Sequence, residues 1–138
     1  MLSAEKHCEI LSDNIRDKSS AMYDGFKMFI QMYSGIVGGS VLLRLQFGNK
    51  IPDKFIWLSD ALVALIVLTS SVVILDHFRS WWGYRVALSA SAGRDLHGKL
   101  VVTHPKLLLS ARTIFVMIVV MLISWGGFIW FNPLQASN

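Results

Sequence analysis

Three long stretches of this chain carry almost no charge, and that constrains its fold more than any other feature. Met28 to Leu43 lies between Lys27 and Arg44, Phe55 to Leu75 is interrupted only by Asp60, and Thr113 to Phe131 follows Arg112. Crossing the hydrocarbon core of a bilayer takes about 20 apolar residues, within a range of about 17–25. The second and third runs meet that length as they stand. The first is shorter, but Lys27 and Arg44 can lay their stems along the helix with the charges at the interfaces, which extends the span over residues 26–45. A helix of a soluble bundle keeps a polar stripe, whereas "ALVALIVLTSSVVIL" and "TIFVMIVVMLISW" are apolar all round.

Composition agrees. Charged residues make up 16% of the chain, against about 25% in soluble domains, and mean hydropathy is +0.51. The expected fold is all-α: one integral membrane domain with three transmembrane helices, an amphipathic N-terminal helix and a partly helical loop. Its parts are an N-terminal helix over 1–25, spans over 26–45, 55–75 and 113–131, loops over 46–54 and 76–112, and a tail over 132–138.

The basic residues set an expected orientation. Lys6, Arg16, Lys18 and Lys27 precede the first span, and Arg79, Arg85, Arg94, Lys99, Lys106 and Arg112 lie between the second and third. With three spans these two segments share a side, while the other side holds Arg44, Lys50 and Lys54. Because the more basic side stays in the cytoplasm, the N-terminus and second loop are expected inside and the C-terminus outside. The mixed-charge first 25 residues lack the pattern of a removable signal peptide, so the first span is expected to direct insertion. With its charge distributed this way, the net +4 points to a membrane surface and not to nucleic acid.

Outside the spans, Cys8, Leu11, Ile15, Met22 and Phe26 fall on one side of a helix over residues 3–26. Ser3 with Lys6 makes a poor capping box, and Ser12 and Asp13 offer a second start. The favoured reading is an interfacial or frayed lead-in to the first span; the other is a helix docked against the second loop or a partner. Gly48, Asn49 and Pro52 mark a tight turn that makes the first two spans an antiparallel hairpin. The segment "DHFRSWWGYR" is expected where the second span leaves the lipid, with Trp81, Trp82 and Tyr84 in the headgroup layer and Arg79 and Arg85 beside anionic phosphates. Helix is expected to continue to about Ala92, with Gly93 and Gly98 reversing the chain and Thr103 and Pro105 restarting it.

Two features inside the spans invite function. Ser34 with Gly38, and Gly35 with Gly39, form overlapping small-xxx-small pairs that flatten one face of the first span and let another backbone approach. That face fits this protein's own second or third span as well as a foreign helix. Gly126 and Gly127 are a weaker echo, or a bend. Asp60 is the only acid in a span, and a carboxylate in mid-membrane is costly, by about 2.5–3.5 kcal/mol on insertion scales. It lies about 7–8 Å along the helix from Phe55, at a depth similar to that of Arg44. An Arg44–Asp60 ion pair closing the hairpin is therefore expected in preference to a proton relay.

Nothing points to catalysis. His7, His77, His97 and His104 lack metal-ligand spacing, Cys8 stands alone, and "SASAGRDLHGK" lacks the ending of a phosphate loop. No cofactor is expected. By analogy of size and topology, small multi-span chains include accessory subunits of bacterial respiratory, photosynthetic and transport complexes. The leading expectation is a non-catalytic accessory or assembly subunit of a bacterial inner-membrane complex, touching lipids and other integral membrane proteins or further copies of itself. The alternative is a self-assembling pore-forming or membrane-disrupting effector, with Gln31, Ser34, Ser40 and Asp60 facing a lumen.

Overall fold

The computed structural model describes residues 3–92 and 111–135, and they form three helices: α1 (Ala4–Phe47), α2 (Asp53–Ala92) and α3 (Ala111–Trp130). Each contains a segment long and apolar enough to cross a membrane. The reversal at Gly93 and Gly98 and the restart at Thr103 and Pro105 lie outside the described residues.

α1 is one unbroken helix of 44 residues, so no boundary separates an N-terminal helix from the first span. Ser3 caps it, its side chain accepting a long hydrogen bond of 3.4 Å from the Lys6 amide. The helix stops at Gly48, whose φ of 56° is one that a side chain disfavours. The Gly48 N–H reaches back to the Arg44 carbonyl, which satisfies one of the last carbonyls of the helix. A single 3-10 turn, Gly48–Lys50, and Pro52 then hand the chain to α2. Within the helices Ser19 and Thr69 return their hydroxyls to the carbonyls of Ile15 and Leu65, at 2.9 and 2.8 Å. This local bond lets a hydroxyl sit in apolar surroundings without a partner helix.

The buried side chains recur every seventh residue in all three helices. Ile15, Met22 and Phe29 line α1, with the half-buried Cys8 and Ile36 continuing the row at either end; Val67, Ile74, Trp81 and Leu88 line α2, and Ile114, Met121 and Phe128 line α3. A seven-residue repeat is the pattern that lets nearly parallel helices stay in contact over many turns. Contacts fix the register. A Cβ on Gly25 would lie 3.6 Å from Val73 and 3.7 Å from Ile74, so equal rise along antiparallel helices brings Leu11 level with Leu88 and Ser40 level with Ser59. Just past the third helix, Asn132 bonds to Ser59 and Asp60, which places Tyr33 of α1 between Ser124 and Phe128 of α3. The Tyr33 hydroxyl does donate to the Ser124 carbonyl at 3.0 Å, and its ring meets Phe128 edge-on at 6.2 Å. Three contacts thus agree on one alignment.

The same alignment shows where α3 gives out. At 20 residues it is about 30 Å long, the thickness of a hydrocarbon core, whereas α1 and α2 at 44 and 40 residues run to about 66 and 60 Å. α3 begins level with Trp81, and beyond that point α1 and α2 continue as a pair sealed by Leu11, Ile15, Trp81 and Leu88. The N-terminal segment is therefore not a frayed lead-in. Its apolar row packs into the core of a helical hairpin, with Cys8 and Phe26 at the margins.

Candidate packing and membrane-contact site

Large apolar side chains cover the outside of the three helices. Leu42, Leu65, Leu68, Phe115 and Ile123 are each more than half exposed. Water-soluble monomers rarely leave a patch of this extent uncovered, and on three helices of spanning length it is the surface a lipid would meet. At the end where α1 turns into α2, Phe47, Phe55, Trp57, Trp130 and Phe131 form an exposed aromatic collar, with the Lys54 ammonium 5.8 Å from the centre of the Phe55 ring. Aromatic rings beside a cation suit the headgroup layer. An aromatic interface was expected at the opposite end only; the signal for this one, Trp and Phe residues flanking two apolar runs, is present in the sequence.

At that opposite end the structure divides the expected cluster. Trp81 is completely buried, stacked with Phe78 at 5.7 Å and covered by the Arg85 guanidinium 4.8 Å above its ring. It belongs to the hairpin core and does not reach lipid. Tyr84 is half-buried against the same core. Trp82, Arg79 and Arg85 stay exposed. The reason is helical phase: Trp81 lies seven residues from both Ile74 and Leu88, on the face turned to α1. Its Nε1 and the Nδ1 of His77 are buried without a hydrogen-bond partner among the described residues, so Trp81 serves there by bulk.

The small residues of α1 lie on its open side. Ser34, Gly35, Gly38 and Gly39 are all exposed, and a Cβ at any of the three glycines would meet nothing within 4 Å. They do not pack against α2 or α3. The glycine at the α1–α2 contact is Gly25. Gly126 and Gly127 likewise face open space, inside an α3 that runs unbroken to Trp130.

Asp60 finds a partner other than Arg44. Asn132, only 3% exposed, donates from Nδ2 to Asp60 Oδ1 at 2.7 Å and to Ser59 Oγ at 3.0 Å. No Arg44–Asp60 ion pair is present among the described residues. Pro133 explains the geometry. A proline disfavours helix at the residue before it, so the chain turns at Asn132. The Leu134 amide donates to Asn132 Oδ1 and the Gln135 amide to the Asn132 carbonyl, each at 3.0 Å. Asn132 thereby joins the end of α3 to the start of α2, and Leu134 is buried beneath the turn. Residues 132–138 were expected as a tail; the signal for this turn was the Asn-Pro dipeptide, a turn initiator.

Among the described residues no three of His, Cys, Asp and Glu gather as a metal site requires. His7 is exposed and His77 half-buried, while His97 and His104 lie outside the described residues. Comparison with known proteins gives no match to this chain, whether to a protein-family model, a curated protein or a solved structure.

Proposed function

We propose that this protein is a non-catalytic accessory or assembly subunit of a bacterial inner-membrane complex, acting through helix packing and lipid contact. The observation that carries this reading is the open face of α1. Glycine lowers helix stability by about 1 kcal/mol against alanine, yet a side chain at Gly35, Gly38 or Gly39 would meet nothing within 4 Å among the described residues. A smooth face in a span is useful to a neighbouring helix. In this reading the N-terminus and the paired extension of α1 and α2 lie in the cytoplasm. Arg79, Trp82 and Arg85 meet headgroups or partners there, and the aromatic collar lies at the outer face.

The alternative of a self-assembling pore requires Gln31, Ser34, Ser40 and Asp60 on one lumen. Gln31 and Ser34 face outward, but Ser40 is buried toward α2 and Asp60 is engaged by Asn132, which favours packing over conduction. The test is the mass of the native particle extracted from its own membrane in mild detergent. A discrete assembly heavier than one chain is expected, reduced to the single chain when Gly35 and Gly39 are both replaced by leucine. A lone monomer from the unaltered protein overturns the proposal.

A further inference from the structure

We infer that the open face of α1 is occupied by a second copy of this chain, in a parallel α1–α1 pair centred on Gln31. This rests on the reading that the face works by packing, and it identifies the partner.

Gln31 is level with the middle of the other two spans and points away from both of them. Its amide makes no hydrogen bond among the described residues. At that depth a bilayer offers no water, and an amide turned to hydrocarbon is costly unless another polar group meets it. The fold does not supply that group. The glycines alone would fit any helix; the amide requires a partner.

The residues around Gln31 describe the partner. Asp24, Met28, Gln31, Gly35, Gly38 and Leu42 follow one another at alternating spacings of four and three, and all are exposed. That spacing forms a continuous seam down α1, on the side opposite the buried row of Ile15, Met22 and Phe29. It is the seam of a left-handed helix pair, in which a single polar residue fixes register and alignment.

Self-complementarity singles out a second copy. Two chains inserted the same way and related by a twofold axis bring Gln31 against Gln31, and a carboxamide is both donor and acceptor, so the two satisfy each other. One and two turns toward the N-terminus each copy carries Lys27 and Asp24, and neither forms an ion pair among the described residues. The twofold also brings Asp24 against Asp24, and Lys27 of each copy lies beside the seam one turn away, so two cations accompany the two carboxylates. Toward the far end Gly35 and Gly38 let the backbones close.

The test is cysteine cross-linking in native membranes, with Cys8→Ser removing the natural thiol and two epitope tags distinguishing copies. Gly35→Cys and Gly38→Cys are placed in the seam, where open space accepts a side chain. Ile123→Cys, 68% exposed on α3 and level with Gln31 at the centre of the seam, is the control. Mild oxidation is expected to give a covalent dimer containing both tags from either seam position but not from the control. Gln31→Leu should lower the Gly38→Cys dimer yield several-fold. A cross-link from the seam to a different protein would overturn the second-copy assignment and leave the packing reading standing. No seam cross-link to any protein would overturn both. Equal yield from Ile123→Cys would mean random collision and would also overturn the inference.

Discussion

Replacing Asn132 by alanine tests whether the end of α3 is held by a side chain or by lipid alone. The substitution removes two interhelical hydrogen bonds, to Asp60 at 2.7 Å and to Ser59 at 3.0 Å, and one local bond from the Leu134 amide. Interhelical bonds in membranes average about 0.6 kcal/mol and reach about 1.7, and a buried backbone bond contributes about 0.5–1.5, so the expected loss is about 2–5 kcal/mol. Reversible unfolding in bicelles gives the total, and double-mutant cycles apportion it. The bond to Asp60 is shorter and assisted by charge, which makes such bonds roughly twice as strong as neutral ones. The coupling of Asn132→Ala with Asp60→Ala should therefore exceed that with Ser59→Ala. Additivity of Asn132→Ala and Asp60→Ala within about 0.3–0.5 kcal/mol would refute the clamp. So would a larger coupling between Arg44→Ala and Asp60→Ala, because it would restore the ion pair that the structure replaces.

Two further substitutions probe the α1–α2 pair. Trp81→Ala should cost about 3–5 kcal/mol as a buried aromatic truncation, seen as lost hydrogen-exchange protection around Leu11 and Ile15, whereas Trp81→Phe should cost clearly less because the indole N–H has no partner to lose; equal effects would mean that Nε1 is bonded. Gly25→Ala should raise the unfolding free energy by up to about 1 kcal/mol, since its Cβ would meet Val73 and Ile74 at ordinary van der Waals distance, and Gly25→Leu should lower it by separating the helices. Destabilisation by alanine would show that the contact is closer than 3.6 Å.

What the sequence made legible follows from how local each signal is. The spans depend on composition within a window of about 20 residues, so all three were visible. The buried row of α1 was also visible, because Cys8, Leu11, Ile15, Met22 and Phe26 share a helical face whatever lies opposite. Trp81 was misplaced because an aromatic near a membrane boundary reads as interfacial unless its phase is known. Its seven-residue spacing from Ile74 and Leu88 held that phase, but the repeat gains meaning only beside the matching repeat in α1. Asn132 was hidden for a different reason. Its bonds cross 72 and 73 residues, and pairing Asp60 with Arg44 by depth considers only the two helices joined by the short loop. The turn after the third helix supplied a neutral amide 2.7 Å from the carboxylate.

The polar groups of the spans then separate by the work they do. Tyr33, Ser59, Asp60 and Asn132 are turned toward neighbouring helices and are bonded. Asp24, Lys27 and Gln31 are turned away and are not. If the outward groups served the fold, an apolar residue in their place would cost stability, yet they form no hydrogen bond or ion pair among the described residues. In water they would need no explanation. Beside three helices of spanning length Gln31 does, since it keeps polarity at a depth where lipid would select against it, while Asp24 and Lys27 lie at the end of the span. On the inference drawn above, cohesion of the single chain and association with another fall to opposite faces of α1. The buried row sets one and the open seam the other, and mutations can move each without the other.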